Sequence, residues 1–408
     1  MISTDFAPNE TWDDAWQSVK MMFKPWLWKQ GPSLKQVDWQ IHQLFANNHA
    51  TWFLAGRSAL YSLLKTLNLP PGSKILVQGY TCEAVVLPII VLKLKPVYVD
   101  IEKESYSMSI TDLNKKLSDD CKVIIIQHTY GLVPKFREQI IKQAIGKKLI
   151  IIEDLAHGWD KDRIKNLEFR IQNYFCLLSF GRSKSLSSVF GSAILTNNKP
   201  IANALNHYSK KLQYPRKLFI FKCLLYKPIS YFIKLTYDIY IGESIHYLTR
   251  KLNLLIPEIT PQEKLGKYNI VFNKQYPNAL AYLLLLQLNK LDHTTTTRQK
   301  IVNYYSGVFK KNAQKEKWHN KALIRYPLLV DNRNQVLNKA TMEHVYFGQW
   351  YNQPIAPKQL DLNKVEYKIG SCPIAEEVCS KIINLPNNIS LKTARKITRI
   401  LNDVASIN

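Results

Sequence analysis

Six short apolar runs between residues 74 and 197 constrain this chain more than any other feature: KILVQG (74–79), PVYVD (96–100), KVIIIQ (122–127), KLIIIED (148–154), YFCLLSF (174–180) and SAILTN (192–197). Several are β-branched and apolar at consecutive positions, the pattern of strands covered on both faces. Between them, SALYSLLKTL (58–67) and KFREQIIKQAIGKK (135–148) repeat apolar residues at intervals of three and four, as one-sided helices do. The alternation predicts an α/β fold with a mostly parallel central sheet flanked by helices.

The rest of the chain reads differently. Residues 204–256 are dense in aromatics and lysines and have the character of an insertion, while PNALAYLLLLQLNKLDHTTTTRQKIVNYYSGVFKK (277–311) reads as one long helix. RYPLLV (325–330) opens a smaller C-terminal α+β unit, which closes with SLKTARKITRILNDV (390–404), Ser390 serving as N-cap. The expected organisation is an N-terminal arm with helices (1–50), a large domain (51–203), a basic aromatic helical insertion (204–265), a linking helix (266–312) and a small domain (313–408).

Lys and Arg number 56 against 31 Asp and Glu, a net charge of +25. Such an excess speaks to partners such as nucleic acid, an anionic membrane face or phosphorylated substrates, and not to fold. The six cysteines include no CxxC pair and lack His partners at zinc spacing, which predicts a reduced, cytoplasmic protein without structural metal. The N-terminal MISTDFAPNETWDDAW carries acids where a secretory leader is basic, and the longest apolar runs fall well short of the roughly 20 residues of a membrane span.

Open α/β folds bind ligands outside the carboxyl ends of their strands. No GxGxxG follows a strand, and Gly146-Lys147 lacks the rest of a Walker loop, so the common nucleotide-binding enzymes are disfavoured. Four other segments fall at strand ends or helix starts. AGRSAL (55–60) brings Gly56, Arg57 and Ser58 to a helix start suited to a phosphate. QHTYG (127–131) carries His128, and IIEDLAHG (151–158) ends a strand in Glu153-Asp154 with His157 three residues on. SFGRSKSLSSVFGSA (179–193) holds Ser179 and Lys184 in a serine-rich loop. Taken singly, each has an ordinary reading: a helix cap, a structural histidine, a satisfied loop carboxylate, a solvated lysine.

Taken in order, G-x-S-A-L, G-Y-T, P-V-Y-V-D-I, H-T-Y-G, I-I-E-D-x-A-H, S-F-x-x-x-K and G-S-A-I-L-T-N resemble the sugar aminotransferases of the DegT/StrS type, which are pyridoxal phosphate (PLP) enzymes of the aspartate aminotransferase fold, fold type I. The resemblance runs from about Trp52 to Thr196 and resumes at 276–292 and 371–386. It implies that 51–203 is the large PLP-binding domain.

It further implies a role for each residue. Transfer of an amine through PLP requires an imine to a lysine, and Lys184 stands at that position. Asp154 would hold the proton on the pyridine nitrogen. His157 would lie by the cofactor's 3-oxygen. The phosphate would be held at the Gly56 turn by the N–H groups of Arg57 and Ser58, by Ser179, and by the guanidinium of Arg57 or Arg182. Asn273 matches a residue that the family supplies from the neighbouring subunit, which implies a homodimer with shared active sites. Cys82 stands where the family stacks an aromatic on the cofactor, so it is expected at the cofactor face. Asn173-Tyr174 and Gln275 also depart from the family pattern, which implies an unusual acceptor pocket.

The implied reaction moves an amino group, with glutamate the expected donor, to a nucleotide-linked keto-sugar. Two alternatives stand beside it: a catalytically altered relative with a regulatory or membrane-associated role, and a PLP-dependent sugar dehydratase, in which His replaces the lysine. For the insertion, a solvated helical hairpin capping the dimer stands against peripheral contact with an anionic membrane at its inner face. No specific nucleic acid is expected, because no binding module accompanies the charge.

Overall fold

The computed structural model describes residues 1–45, 49–158, 171–309 and 318–402. A seven-stranded sheet forms its centre: β1 (His49–Phe53), β2 (Lys74–Gln78), β3 (Lys95–Val99), β4 (Cys121–Gln127), β5 (Ile150–Asp154), β6 (Tyr174–Ser179) and β7 (Ser192–Thr196). Their order across the sheet is β1-β7-β6-β5-β4-β2-β3. The neighbours from β6 through β3 are parallel, whereas β7 runs antiparallel to both β6 and β1.

Two apolar layers explain why these strands lack a polar face. Ile75, Val77, Val123, Ile125 and Ile152 point into one core, and Leu76, Ile124, Ile126 and Ile151 into the other. Successive side chains alternate across a strand, so a sheet covered on both sides needs apolar residues at every position. The six strands expected from sequence are present. β1 is the addition: it begins exposed at His49 and ends buried at Phe53, and it becomes legible only through its pairing with β7, Trp52 opposite Ala193.

The helices that matter for the site are α1 (Trp12–Met22), α2 (Ser33–Leu44), α3 (Gly56–Thr66), α4 (Glu83–Val91) and α5 (Arg137–Gly146). The 204–265 region contains the end of α6 (Lys199–Lys211), all of α7 (Lys217–Thr236) and α8 (Ile241–Lys251), and a single turn at Pro261–Lys264. The segment expected to be one long helix is two, α9 (Asn278–Asn289) and α10 (Leu291–Val308), divided at Lys290, whose φ of −101° and ψ of 4° leave the helical region. The apolar residues of 279–291 give way at the divide to a polar stretch, 292–300, and no proline or glycine marks the break. The end of the expected helix, 310–311, lies outside the described residues.

In the small domain, β8 (Tyr326–Leu329) pairs antiparallel with β9 (Ile382–Leu385). The closing helix Leu391–Asn402 begins just after Ser390, whose hydroxyl accepts from the Thr393 N–H at 3.1 Å. The N-terminal arm belongs with this domain, because Ile2 and Ser3 pair with Val345 and Tyr346. The arm then crosses to the insertion. Glu10 and Lys227, both fully buried, form an ion pair at 3.0 Å, and Lys234 donates to the Ala7 carbonyl at 2.9 Å. Two lysines of the basic segment are thus internal struts and not surface charges.

Removing one member of a buried ion pair strands the other, at a cost of about 3–5 kcal/mol. Lys227→Met is therefore expected to lower unfolding stability by that order in denaturant titration. Glu10→Gln combined with Lys227→Met should recover part of the loss; a double variant whose loss is the sum of the two single losses would show that the pair is uncoupled.

Candidate active site

The parallel strands end together. Gln127 closes β4 opposite Asp154 at the end of β5, and Asp154 lies opposite Leu177, two residues before Ser179 closes β6. These ends floor a cavity of roughly 230 Å³ lined by Gly56, Arg57, Cys82, Asp154, His157, Ser179 and Lys184. Of the site residues expected on the large domain, all but Ser58 and Arg182 reach this lining. Ser58 sits directly beneath it in the first turn of α3, with its hydroxyl bonded to the Ala55 carbonyl at 2.8 Å.

Asp154 is buried. Its Oδ2 accepts from Gln127 Nε2 at 2.9 Å and its Oδ1 from the Ala156 N–H at 3.0 Å. Burial raises its carboxyl above the ordinary range, against the opposing pull of the Ala156 N–H, Lys184 and Gln127. A cation brought against this carboxylate would supply what the chain leaves incomplete. Its neighbour Glu153 is fully satisfied by contrast. Burial works to raise it, but His128 and Arg137 outweigh that and hold it at about 2. His128 Nε2 lies 3.1 Å from Glu153 and the Arg137 guanidinium is forked on the same carboxylate, so Glu153 and His128 form a structural cluster behind the site.

His157 is neutral, held well below its ordinary pKa by burial and then by Lys184 and Arg325. Its Nδ1 accepts from the Tyr130 N–H at 3.1 Å, which leaves the proton on Nε2, facing Tyr351 Oη at 3.1 Å. The Lys184 ammonium lies 4.8 Å from the centre of the Trp350 ring, and that ring stacks on His157 at 4.9 Å. Behind Lys184, the Asn9 side chain of the N-terminal arm donates to its carbonyl at 2.6 Å.

At the opposite end of the cavity, the N–H groups of the first turn of α3 have no partner within their helix, and Ser179 lines the cavity beside them. A Cβ on Gly56 would lie 3.4 Å from Ser179 Oγ, in ordinary van der Waals contact, so the first turn of α3 runs directly beside Ser179. The guanidiniums once expected to help there are committed elsewhere. Arg57 is bonded to the Glu263 carboxylate and to the Glu258 carbonyl, and Arg182 donates to the Ile256 carbonyl. Glu258 itself lines the cavity, accepting from Ser183 Oγ at 2.7 Å.

Cys82 lines the cavity as a protonated thiol, pushed up to about 12 by burial and then by Glu83. The aromatic surface comes from another wall, Trp350 and Tyr351 on the loop before Ile355–Ala356, which pairs with Thr81–Cys82. Tyr80 is turned away, its hydroxyl bonded to Tyr130 and the Trp350 carbonyl. Asn273 does not line the cavity of its own chain; its Oδ1 accepts from Tyr268 at 2.6 Å. Trp350, Tyr351, Gln127 and Glu258 went unrecognised in the sequence. The cluster of Gly348, Trp350, Tyr351, Pro354 and Pro357 marks a structured loop, but nothing in it points to a cavity built more than 150 residues earlier.

Glu83, at the start of α4, is buried with Oε2 unpartnered and with Arg57 3.8 Å away. Burial raises its carboxyl from 4.5 to about 7, with Arg57 opposing. The folded state therefore keeps a proton that the unfolded chain releases, and stability falls as pH rises through 7, by about 3 kcal/mol in all. Thermal melts of Glu83→Gln are expected to lose this dependence, so that the variant gains on the wild type between pH 5 and 8. Parallel profiles would contradict it.

Comparisons with known proteins agree with this geometry. Residues 11–213 and 257–405 match the model of the DegT/DnrJ/EryC1/StrS aminotransferase family. GDP-perosamine synthase from Escherichia coli O157:H7 is 26% identical over 183 residues, 45% of this chain and 50% of the relative. UDP-2-acetamido-2-deoxy-3-oxo-D-glucuronate aminotransferase from Pseudomonas aeruginosa is 25% identical over 181 residues, 44% of this chain and 50% of the relative. The chain spans about half the length of the curated relatives it matches. Among solved structures, Helicobacter pylori PseC, an aminotransferase involved in the biosynthesis of pseudoaminic acid, superposes with a TM-score of 0.73 at 16% identity over 98% of both chains. A DegT DnrJ EryC1 StrS aminotransferase from Brucella abortus superposes at 0.67 with 19% identity over 96% of this chain and 95% of that one. At these identities the likeness is one of fold. The family match runs through both halves of the molecule and breaks only at 214–256, the stretch that holds α7 and α8; the chain belongs to the DegT/DnrJ/EryC1/StrS aminotransferase family.

Proposed function

We propose that this protein is a PLP-dependent aminotransferase that moves an amino group from glutamate to a keto-sugar carried on a nucleotide. The observation that carries the reading is the convergence of Lys184, Asp154 and His157 on one cavity whose far end is a helix N-terminus. PLP bound there would supply an electron sink that makes the carbon bearing the amino group acidic.

The chain's own residues fit that group. Among the described residues the buried Asp154 carboxylate has no bonded cation, which a protonated ring nitrogen would provide. Among the described residues Lys184 Nζ is the one amine on the cavity lining, and it is the group that would take and return the proton at the reacting carbon. His157 has its proton fixed on Nε2, the side facing the cavity tyrosine, and so can donate to an oxygen there. The first-turn N–H groups of α3 with Ser179 Oγ would hold the phosphate without either guanidinium. The Trp350 and Tyr351 rings shield this end from water, which strengthens each of these electrostatic contacts.

The reading includes a homodimer in which Asn273 of one protomer completes the cavity of the other. In its support, Asn273 stands outside its own cavity, and Ile270, 71% exposed, and Leu265 flank it with apolar surface that a second copy would cover.

Purified protein given PLP is expected to gain the visible absorption of cofactor bonded to an amine, and to transaminate a nucleotide keto-sugar with glutamate, followed by mass spectrometry. Lys184→Ala should lose that absorption and about 10²–10⁴-fold or more of the rate. A protein that binds no PLP would sink the proposal. For the dimer, Lys184→Ala and Asn273→Asp, each inactive, should regain partial activity when mixed and refolded together, because one site of the mixed dimer then has both residues intact. No recovery would mean that Asn273 does not act across the interface.

A further inference from the structure

We propose that α1, α7 and α8 form a face that docks onto an anionic lipid bilayer. This goes beyond the catalytic reading and stands independently of it. The helices α7 and α8 lie in the stretch that the family match omits, so the catalytic fold does not account for them. They nevertheless form an ordered layer with the N-terminal helix. Ser18 Oγ of α1 donates to the Leu224 carbonyl of α7 at 2.7 Å, Lys227 is clamped on Glu10, and Gly242 lets α8 approach the α7 backbone at Ile233 so closely that a Cβ there would clash.

This firmly held layer buries Tyr226 but leaves Trp12, Trp16, Phe232 and Tyr247 in solvent. Between α1 and α7 runs an apolar groove of roughly 600 Å³, lined by Trp12, Trp16, Leu225, Ile229, Phe232 and Leu235. Trp12 is 62% exposed and Leu235 68% exposed. The surface continues through Tyr240, Tyr247 and Leu248, all exposed. Tryptophan and tyrosine beside aliphatic residues suit the boundary between headgroups and acyl chains, where one side of the ring is wet and the other is not. No described helix is long and apolar enough to cross a membrane, so the contact is one of lying on the surface.

The rim selects the partner. Lys20 lies over the Trp16 ring at 5.6 Å and Lys251 over Tyr247 at 6.0 Å, with Arg250 alongside; none of the three has an ion-pair partner among the described residues. The nearby acids are largely engaged: Asp13 pairs with Lys290 at 2.8 Å and Asp238 with the Met1 amino group at 2.9 Å, leaving Glu243. Cations ringing an apolar aromatic patch complement lipid phosphates. A second copy of this chain is a poor occupant, because a two-fold contact would set the same cationic rim against itself.

The test is flotation of the full-length, PLP-loaded protein with vesicles of phosphatidylcholine alone or mixed with phosphatidylglycerol. Co-flotation is expected with the mixed vesicles, falling with added salt, and little or none with neutral ones. Trp12→Ser with Phe232→Ser, and separately Lys20→Glu with Lys251→Glu, should each reduce binding by roughly tenfold or more while cofactor absorption and melting temperature stay at wild-type values. Leu235→Gln is a milder variant should the aromatic pair disturb folding. Failure of the wild type to float with anionic vesicles at low salt would overturn the proposal. So would variants that bind vesicles unchanged, or a wild type whose light-scattering mass falls on these substitutions without any vesicle binding, which would assign the face to self-association.

Discussion

The arrangement of this molecule turns on a carboxylate buried at the carboxyl end of its central strand. Among the described residues, no side-chain cation is bonded to Asp154. The Gln127 amide and the Ala156 N–H satisfy it only in part, and burial keeps its pKa raised. Next to it on the same strand, Glu153 is neutralised by Arg137 and His128 and has no further capacity. One carboxylate is structural and the other is poised, and the difference comes from what each finds behind the sheet. The parallel strands then bring Gln127 and Ser179 to the same level, and the loop after β6 returns Lys184 to the same cavity.

Much of this was legible in the sequence. Strands buried on both faces have to be apolar throughout, which is why 122–127 and 148–154 announce themselves, and the residues that end them fall where open α/β sheets bind ligands. Asp154, His157, Ser179 and Lys184 lie within 31 residues of one another in sequence, so their order carries the pattern. What escaped depends on distant partners. Lys227 reads as one more surface lysine because Glu10, which internalises it, is 217 residues away. Trp350, Tyr351 and Glu258 reach the cavity from loops, which have no period. β1 is an edge strand whose first residue is exposed, and the divide at Lys290 is marked by neither proline nor glycine.

The positive charge, which at first points only to some anionic partner, divides into distinct populations once placed. Arg57, Arg137 and Lys227 are buried against carboxylates and stabilise the fold. Lys20, Arg250 and Lys251 rim the aromatic surface of the added helices. The Glu10–Lys227 pair and the Asn9 contact to the Lys184 carbonyl tie that surface and the cavity to a single arm, so the added helices are built into the catalytic framework and not appended to it.

The most direct measurement is chemical. Borohydride reduction of the PLP-loaded protein fixes the cofactor permanently to whichever amine it has joined, and peptide mass spectrometry then locates it. The cofactor mass is expected on Lys184 and on no other of the chain's many lysines. Its appearance elsewhere, or a reduced protein with no added mass, would contradict the assignment of this cavity as the seat of amino transfer.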